Sequence, residues 1–204
     1  MENSKSSFAA PVIVLSCICL VVSLALAFTY KVANPIIIKN NQAAADAART
    51  EILPAADAFT QIEETGAASS DGKAVVTEAY KADNGAGYVM TVETKSFGGA
   101  LTMMVGMDGE GVITGVKVTE HADTPGVGTK NMEADYLAQY SGMTELTSAD
   151  NIKKESAPFA FISGASVSGQ AIHSGVAAAL SQFAAMGGAQ EWKIRASFLF
   201  LQMD

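Results

Sequence analysis

Two short stretches hold the residues whose types and spacing could do chemistry. The first is Ser163-Gly164-Ala165-Ser166-Val167-Ser168-Gly169-Gln170. Behind it Ile172, Val176, Leu180 and Phe183 recur at spacings of four, four and three, the period of one apolar face of an amphipathic helix. The spacing predicts a helix from about Ser166 to about Met186, ended by Gly187-Gly188. Backbone N–H groups in its first turn lack helical partners and aim into a loop of Ser, Gly and Ala with hydroxyls nearby. Such a terminus suits a phosphate. A serine N-cap with no ligand is the plainer reading of the octapeptide taken alone.

The second stretch is Thr119-Glu120-His121-Ala122-Asp123-Thr124-Pro125-Gly126-Val127-Gly128-Thr129-Lys130, at the end of a predicted strand. Pro125-Gly126 reads as a turn with Gly where a positive φ is needed. Gly128 lets the backbone come close to a flat ring or a phosphate. His121, beside Glu120 and Asp123, reads as a solvated or hydrogen-bonded loop residue ahead of a catalyst, and it could equally bond a ligand or a neighbouring carboxylate.

These two stretches resemble the FMN-binding domains shared by the G subunit of the Rnf ion-translocating electron transport complex and the C subunit of the Na+-translocating NADH:quinone reductase. Ser163-Gly164-Ala165-Ser166 is similar to the flavinylation motif of that family, and Glu120-His121 with Thr124-Pro125-Gly126-Val127-Gly128 to its flavin-lining loop. The resemblance implies FMN attached covalently, as a phosphoester to Ser166 made by a dedicated flavin transferase. It also implies a cofactor-binding set of Ser163, Gly164, Ala165, Val167, Ser168, Glu120, His121, Thr124, Pro125, Gly126 and Gly128. The family acceptor is usually Thr, and a Ser hydroxyl forms the same ester; Ala160 stands where an Asp is common. No residue takes a catalytic or metal-binding role.

The elements that must position these loops are legible from period and punctuation. Val75–Tyr80, Tyr88–Thr94, Leu101–Met107 and Val112–Val118 have the patterning of strands, divided by Asn84-Gly85, Gly98-Gly99 and Asp108-Gly109. Four short runs joined by tight turns predict an antiparallel meander. Met103, Met104 and Met107 read as core or interface filling. Ahead of the strands, Asn34-Pro35 predicts a break, Gln42–Leu53 a helix, and Ala55–Ile62 a further helical turn or two with Phe59 and Ile62 inward. Asn131–Tyr140 reads as a helix closed by Ser141-Gly142 and Ser148–Glu155 as a polar connector. Phe159–Ile162 reads as an apolar entry to the last helix, and Gln190–Asp204 as an apolar docking segment.

Of the 204 residues 49% are hydrophobic, and the excess lies at the front. Ser6 to Tyr30 carries no charge, and as a helix reaches about 37 Å at roughly 1.5 Å per residue, enough for a bilayer core of about 30 Å. Ala25-Leu26-Ala27 resembles a signal cleavage site, but the apolar run exceeds the roughly 7–15 residues usual for signals, so a retained transmembrane helix at about 8–31 is expected. Cys17 and Cys19 both fall inside it and read as apolar filling.

Beyond Tyr30 the chain has twelve Lys+Arg against twenty Asp+Glu and no basic cluster, which argues against nucleic acid as a partner. A count of flanking charges would put the large domain in the cytoplasm. The resemblance implies the reverse: a single-pass protein of the cell membrane with its flavin domain on the outer face.

The expected fold class is α+β: one N-terminal transmembrane helix, then an FMN-binding domain with an antiparallel sheet and flanking helices. The expected division is 1–33 for the N-terminal segment, 34–72 for a helical linker and 73–204 for the domain. Chain length and the single anchor resemble the Rnf G subunit more than the longer quinone-reductase subunit. The resemblance implies an electron-transfer flavoprotein, one subunit of an ion-translocating oxidoreductase with no complete active site of its own. Its partners would be the other membrane and cluster-bearing subunits. One apolar helix without an internal carboxylate offers no ion route, so coupling falls to those subunits. The competing classes are a quinone-reductase subunit and a membrane-tethered interaction or sensor domain without cofactor, the latter told apart by lack of flavin colour.

Overall fold

The structure, a computed structural model, describes residues 6–63, 65–146, 159 and 162–187. The expectations for Ser148–Glu155, Ala160, Phe161, Gly188 and Gln190–Asp204 lie outside the described residues. Two compact units divide the chain, residues 1–46 and residues 47–204.

The first unit is most of one helix, α1, which runs Ser6–Ile52 and so ends inside the second unit. From Ala10 onward it is long and apolar enough to cross a membrane, and its most apolar window has none of its residues buried. The expected break at Asn34-Pro35 is absent, because Pro35 lies within the helix. A proline costs a helix one N–H bond and some crowding with the preceding turn, which bends it. Forty-seven residues of helix outweigh that local loss.

The second unit is built on a five-stranded antiparallel sheet: β1 Phe59–Ile62, β2 Ala74–Ala82, β3 Gly87–Lys95, β4 Ala100–Asp108 and β5 Ile113–His121. Spatial order equals chain order, so the sheet is a meander closed by the predicted turns. The four predicted strands are present, each extended by one to three residues at one or both ends, except that β5 starts at Ile113, one residue after the expected Val112. Phe59–Ile62, expected as helix, is instead the edge strand β1, paired with Ala79–Ala82 of β2. Four residues are too few to show a period. Pairing along the open edge of β2 decides the conformation, and Phe59 and Ile62 are half-buried there.

Alternation gives the sheet one apolar face. Val76, Met90, Val92, Leu101, Met103, Met107 and Ile113 bury their side chains into a core that also contains Ile172, Val176 and Phe183. Those last three come from α3, Ser166–Ala185, which covers this face as the periodicity predicts. Met103 and Met107 therefore fill the core. Burying each such side chain stabilises the fold by roughly 1.5–3 kcal/mol. Polar ties also hold α3: Ala67 N–H donates to Gln182 Oε1 at 2.9 Å, and Ser174 Oγ donates to Asp71 Oδ2 at 2.9 Å.

The other face is met by the last turns of α1. Arg49 stacks 3.7 Å over the Tyr80 ring and pairs with Glu78 at 3.8 Å. Thr114 Oγ1 donates to the Ile52 carbonyl at 3.0 Å, and Lys117 pairs with Glu51.

Between β5 and α3 the expected helix over Asn131–Tyr140 is broken into three. A 3-10 turn spans Gly128–Met132, a single α turn, α2, spans Ala134–Leu137, and another 3-10 turn spans Ala138–Tyr140. Glu133, extended at φ −69° and ψ 147°, separates the first two. The break lets Tyr136, Leu137 and Tyr140 reach the core from one short segment.

Candidate functional site

The two chemistry-bearing stretches meet at an open cleft of about 240 Å3, lined by Phe97, Asp123, Thr124, Val127, Gly128 and residues 164–168. Helix α3 begins at Ser166, as its apolar period requires, and Gly164 at φ +81° turns the chain into it. The residue before the helix is Ala165, which makes no side-chain cap. A serine cap at Ser166 is therefore not what the structure has: Ser166 is the first helical residue, half-buried, on the cleft wall. Ala165 gives that start no side-chain cap, and first-turn N–H groups together with the helix dipole favour an anion there. This donor set fits the phosphate end of FMN.

Asn131 joins the two stretches. It is 1% exposed, and its Nδ2 donates to the Ala165 carbonyl at 2.8 Å and to the Gly128 carbonyl at 3.5 Å. The end of the second loop is thereby fastened to the start of α3.

Asp123 is the polar hub on the opposite wall, 5% exposed. Its Oδ1 accepts from Ser96 Oγ at 2.7 Å and from Gly98 N–H at 2.5 Å. Burial pushes its pKa up, but the Ser168 and Ser96 hydroxyls, the Gly98 N–H and the charge of His121 outweigh this and hold it below the ordinary carboxylate value. Ser168 supports the charge from nearby, while Oδ2 meets no donor at full hydrogen-bond geometry. Oδ2 packs on Gly128, where a Cβ would come within 2.6 Å of it. The close approach that Gly128 permits is thus filled by a carboxylate of this chain.

Of the residues read from the sequence, Gly164, Ala165, Ser166, Val167, Ser168, Thr124 and Gly128 line the cleft. Glu120, His121, Pro125, Gly126 and Ser163 are exposed and do not line it. Three lining residues are not singled out by the sequence: Phe97, Asp123 and Val127. Phe97 has one available signal, a lone aromatic in the Ser96-Phe97-Gly98-Gly99 turn.

Residues 96–181, which run from the β3–β4 turn through β4, β5 and most of α3 and so include both walls of the cleft, match the family model described as FMN-binding domain. The relatives are G subunits. The chain is 35% identical over 81 residues to the G subunit of the ion-translocating oxidoreductase complex of Salmonella typhi, covering 37% of this chain and 39% of that protein. It is 30% identical to the corresponding G subunit of Stutzerimonas stutzeri, covering 67% of this chain and 60% of that protein. It is 22% identical to the G subunit of the proton-translocating ferredoxin:NAD(+) oxidoreductase complex of Clostridium ljungdahlii, covering 83% of this chain and 88% of that protein. The chain thus spans about two fifths of the length of the Salmonella relative. Among solved structures, the crystal structure of Shewanella oneidensis NqrC matches at 20% identity and a TM-score of 0.40, over 59% of this chain and 71% of that one. The resemblance to the G-subunit family read from the two loops is borne out by these relatives.

Proposed function

We propose that this chain is the electron-transfer flavoprotein subunit of a membrane-bound, ion-translocating ferredoxin:NAD+ oxidoreductase complex, carrying FMN through a phosphoester at Ser166. One observation carries the reading. In a chain whose residues 96–181 match an FMN-binding domain, the hydroxyl residue that opens α3 stands on the wall of the cleft, at a helix start with no side-chain cap. When bound, FMN supplies one- and two-electron redox chemistry.

The chain's own residues bind and orient it. Ser166 Oγ would provide the ester oxygen, giving up its proton as the transferase moves the flavin phosphate from a flavin dinucleotide whose nucleoside monophosphate leaves, and the first-turn N–H groups of α3 would offset the negative charge that a phosphodiester retains. Asn131 keeps the Ala165 carbonyl, and with it the helix start, in register with the loop ending at Gly128. Thr124 and Val127 give that loop's wall one hydroxyl and one apolar contact. The exposed Glu120, His121, Pro125, Gly126 and Ser163 would serve the flavin transferase or the outer rim.

The remaining assignments belong to the same reading. The apolar part of α1 anchors the chain once in the cell membrane, the flavin domain faces outward, and the other subunits donate and accept the electrons. Support comes from the length and composition of α1 and from the names of the relatives.

Intact-protein mass, measured on chain produced with a flavin transferase, tests the proposal. The expected result is an added FMN in the wild type and in Ser166→Thr, and none in Ser166→Ala. Tightly held but unattached FMN would remove the covalent bond and keep the flavoprotein. A colourless wild-type protein would favour a cofactor-free tether.

A further inference from the structure

Past its uncharged stretch, α1 still presents large apolar side chains. Val32, Ile36, Ile37 and Ile38 are between 49% and 58% exposed. Single exposed hydrophobics are ordinary, whereas three in a row with a fourth one turn before them make a patch. At 3.6 residues per turn, three consecutive positions spread over about 200° of the helix circumference, so the patch wraps more than half of it.

Length sets the isoleucines outside the lipid. The charges nearest the apolar run are Lys5 before it and Lys31 after it. With Lys5 at one surface, a bilayer with its headgroups, about 40–45 Å thick, is crossed by roughly 27–30 residues of helix, which ends between Val32 and Pro35. Ile36, Ile37 and Ile38 come next. The helix itself continues to Ile52.

Water is a poor setting for this segment. From Val32 to Asn41 only Ala33 and Lys39 are strong helix formers, the others being Val, Ile, Asn and Pro35. A helix that stands bare in water is commonly supported by opposite charges three or four positions apart. Neither Lys31 nor Lys39 has an acidic residue at those spacings. Yet the helix is unbroken here. Weak propensity, unpaired spacing and an exposed isoleucine run are all answered by one thing, an apolar surface packed around the segment.

We infer that Ile36, Ile37 and Ile38 form a docking patch for a neighbouring membrane subunit of the same complex, which meets them with an uncharged apolar surface just beyond the lipid. The inference rests on the membrane-complex reading above. The occupant is protein rather than lipid, because the patch lies past the headgroups and wraps too far round the helix for a flat layer to cover. Asn34 and Asn41 share a helix face with Ile37 and Ile38 by their spacing, and their amides suit hydrogen bonds across a helix contact.

The test uses the full chain assembled with the other subunits of its complex. A benzophenone amino acid in place of Ile37 is irradiated in the membrane, and the adducts of the purified complex are read by mass. The expected product is a crosslink to one other membrane subunit. Beside it, Ile36→Ala/Ile37→Ala/Ile38→Ala raises helix propensity while removing the apolar bulk. This variant should recover several-fold less of the other subunits, with membrane retention after carbonate washing unchanged. The matching triple change to Leu, which keeps the bulk, should recover nearly as much as wild type. Equal recovery by the Ala variant overturns the docking patch, and its loss from washed membranes does so by making the patch part of the anchor. Adducts that are absent, confined to lipid, or formed with a second copy of this chain overturn it as well. A wild type that co-purifies with no other subunit overturns the complex reading and the patch together.

Discussion

Asn131 Nδ2 donates a hydrogen bond of 2.8 Å to the carbonyl of Ala165, joining residues thirty-four positions apart at the point where α3 begins. The same carbonyl also accepts the N–H of Gly169 at 3.0 Å, the first rung of the helix. One oxygen therefore closes the first helical turn and fixes where that turn sits.

Replacing Asn131 by Ala removes this tie from a site that is 1% exposed. The helical rung survives, so the expected loss is about 1–2 kcal/mol, the range for one buried hydrogen bond and its desolvated partner. Asn131→Asp should cost more, because it sets a carboxylate against the Ala165 carbonyl. Urea midpoints of the three proteins check this, and equal midpoints for Ala and wild type would show the tie to be idle.

Acid should act through Asp123. Its pKa in the fold lies below the ordinary 3.8 because the donated hydrogen bonds and His121 overcome the cost of burial. The folded value being the lower one, the carboxylate's contribution is complete above the ordinary range, declines as pH falls through it, and vanishes below the folded value. Asp71 shifts the same way: burial raises its pKa, but hydrogen bonds from Ser69, Ser174 and Lys73, and the Lys73 charge, lower it further. Asp123→Asn should thus flatten the acid dependence in part, with the Asp71 share remaining. Denaturation midpoints from neutral pH down to about pH 3 would reveal it, and an unchanged slope would exclude Asp123 as a contributor.

Ile172 is fully buried between α3 and the sheet. Truncation to Ala should cost about 2–5 kcal/mol, the span for large-to-small changes in a packed core. Val167→Ala, about one and a half turns earlier on the exposed side, should change stability by no more than about 0.5 kcal/mol. Thermal or denaturant unfolding of the pair measures the contrast, and similar losses would contradict the facing of α3.

A fragment starting at Ala47 keeps the whole second unit, including the turns of α1 that bear Arg49 and Ile52. It should remain monodisperse in plain buffer, while the full chain requires detergent or lipid because its apolar helix window is unburied. Size-exclusion profiles with and without detergent decide the matter. A full chain that stays monodisperse without either would argue against the anchor.

How far the fold can be read in advance follows from what each element depends on. Strands β2 to β5 are nine residues long, rich in β-branched and other apolar residues, and set apart by turn dipeptides such as Asn84-Gly85, so local pattern is enough. Helix α3 is equally legible, because its core face repeats over about three turns from Ile172 to Phe183. Strand β1 is not, since its four residues are ordered only by the neighbour they pair with. Pro35 reads as a break only when the proline is weighed alone rather than against the long helix around it. At the cleft, Ser166 and Gly128 are visible as motif residues. Phe97 and Asp123 are not, because their significance arises only when the β3–β4 turn meets the exit of β5.

The meander has a consequence for timing. Each strand pairs with the one made just before it, so the sheet can assemble in the order of synthesis with little long-range search. Helix α3 comes after all five strands and packs on the middle ones, and the residue just ahead of it is tied back to Asn131. Ser166 is therefore offered in its final setting only once everything upstream is built, which makes any modification of that hydroxyl a certificate of a finished domain.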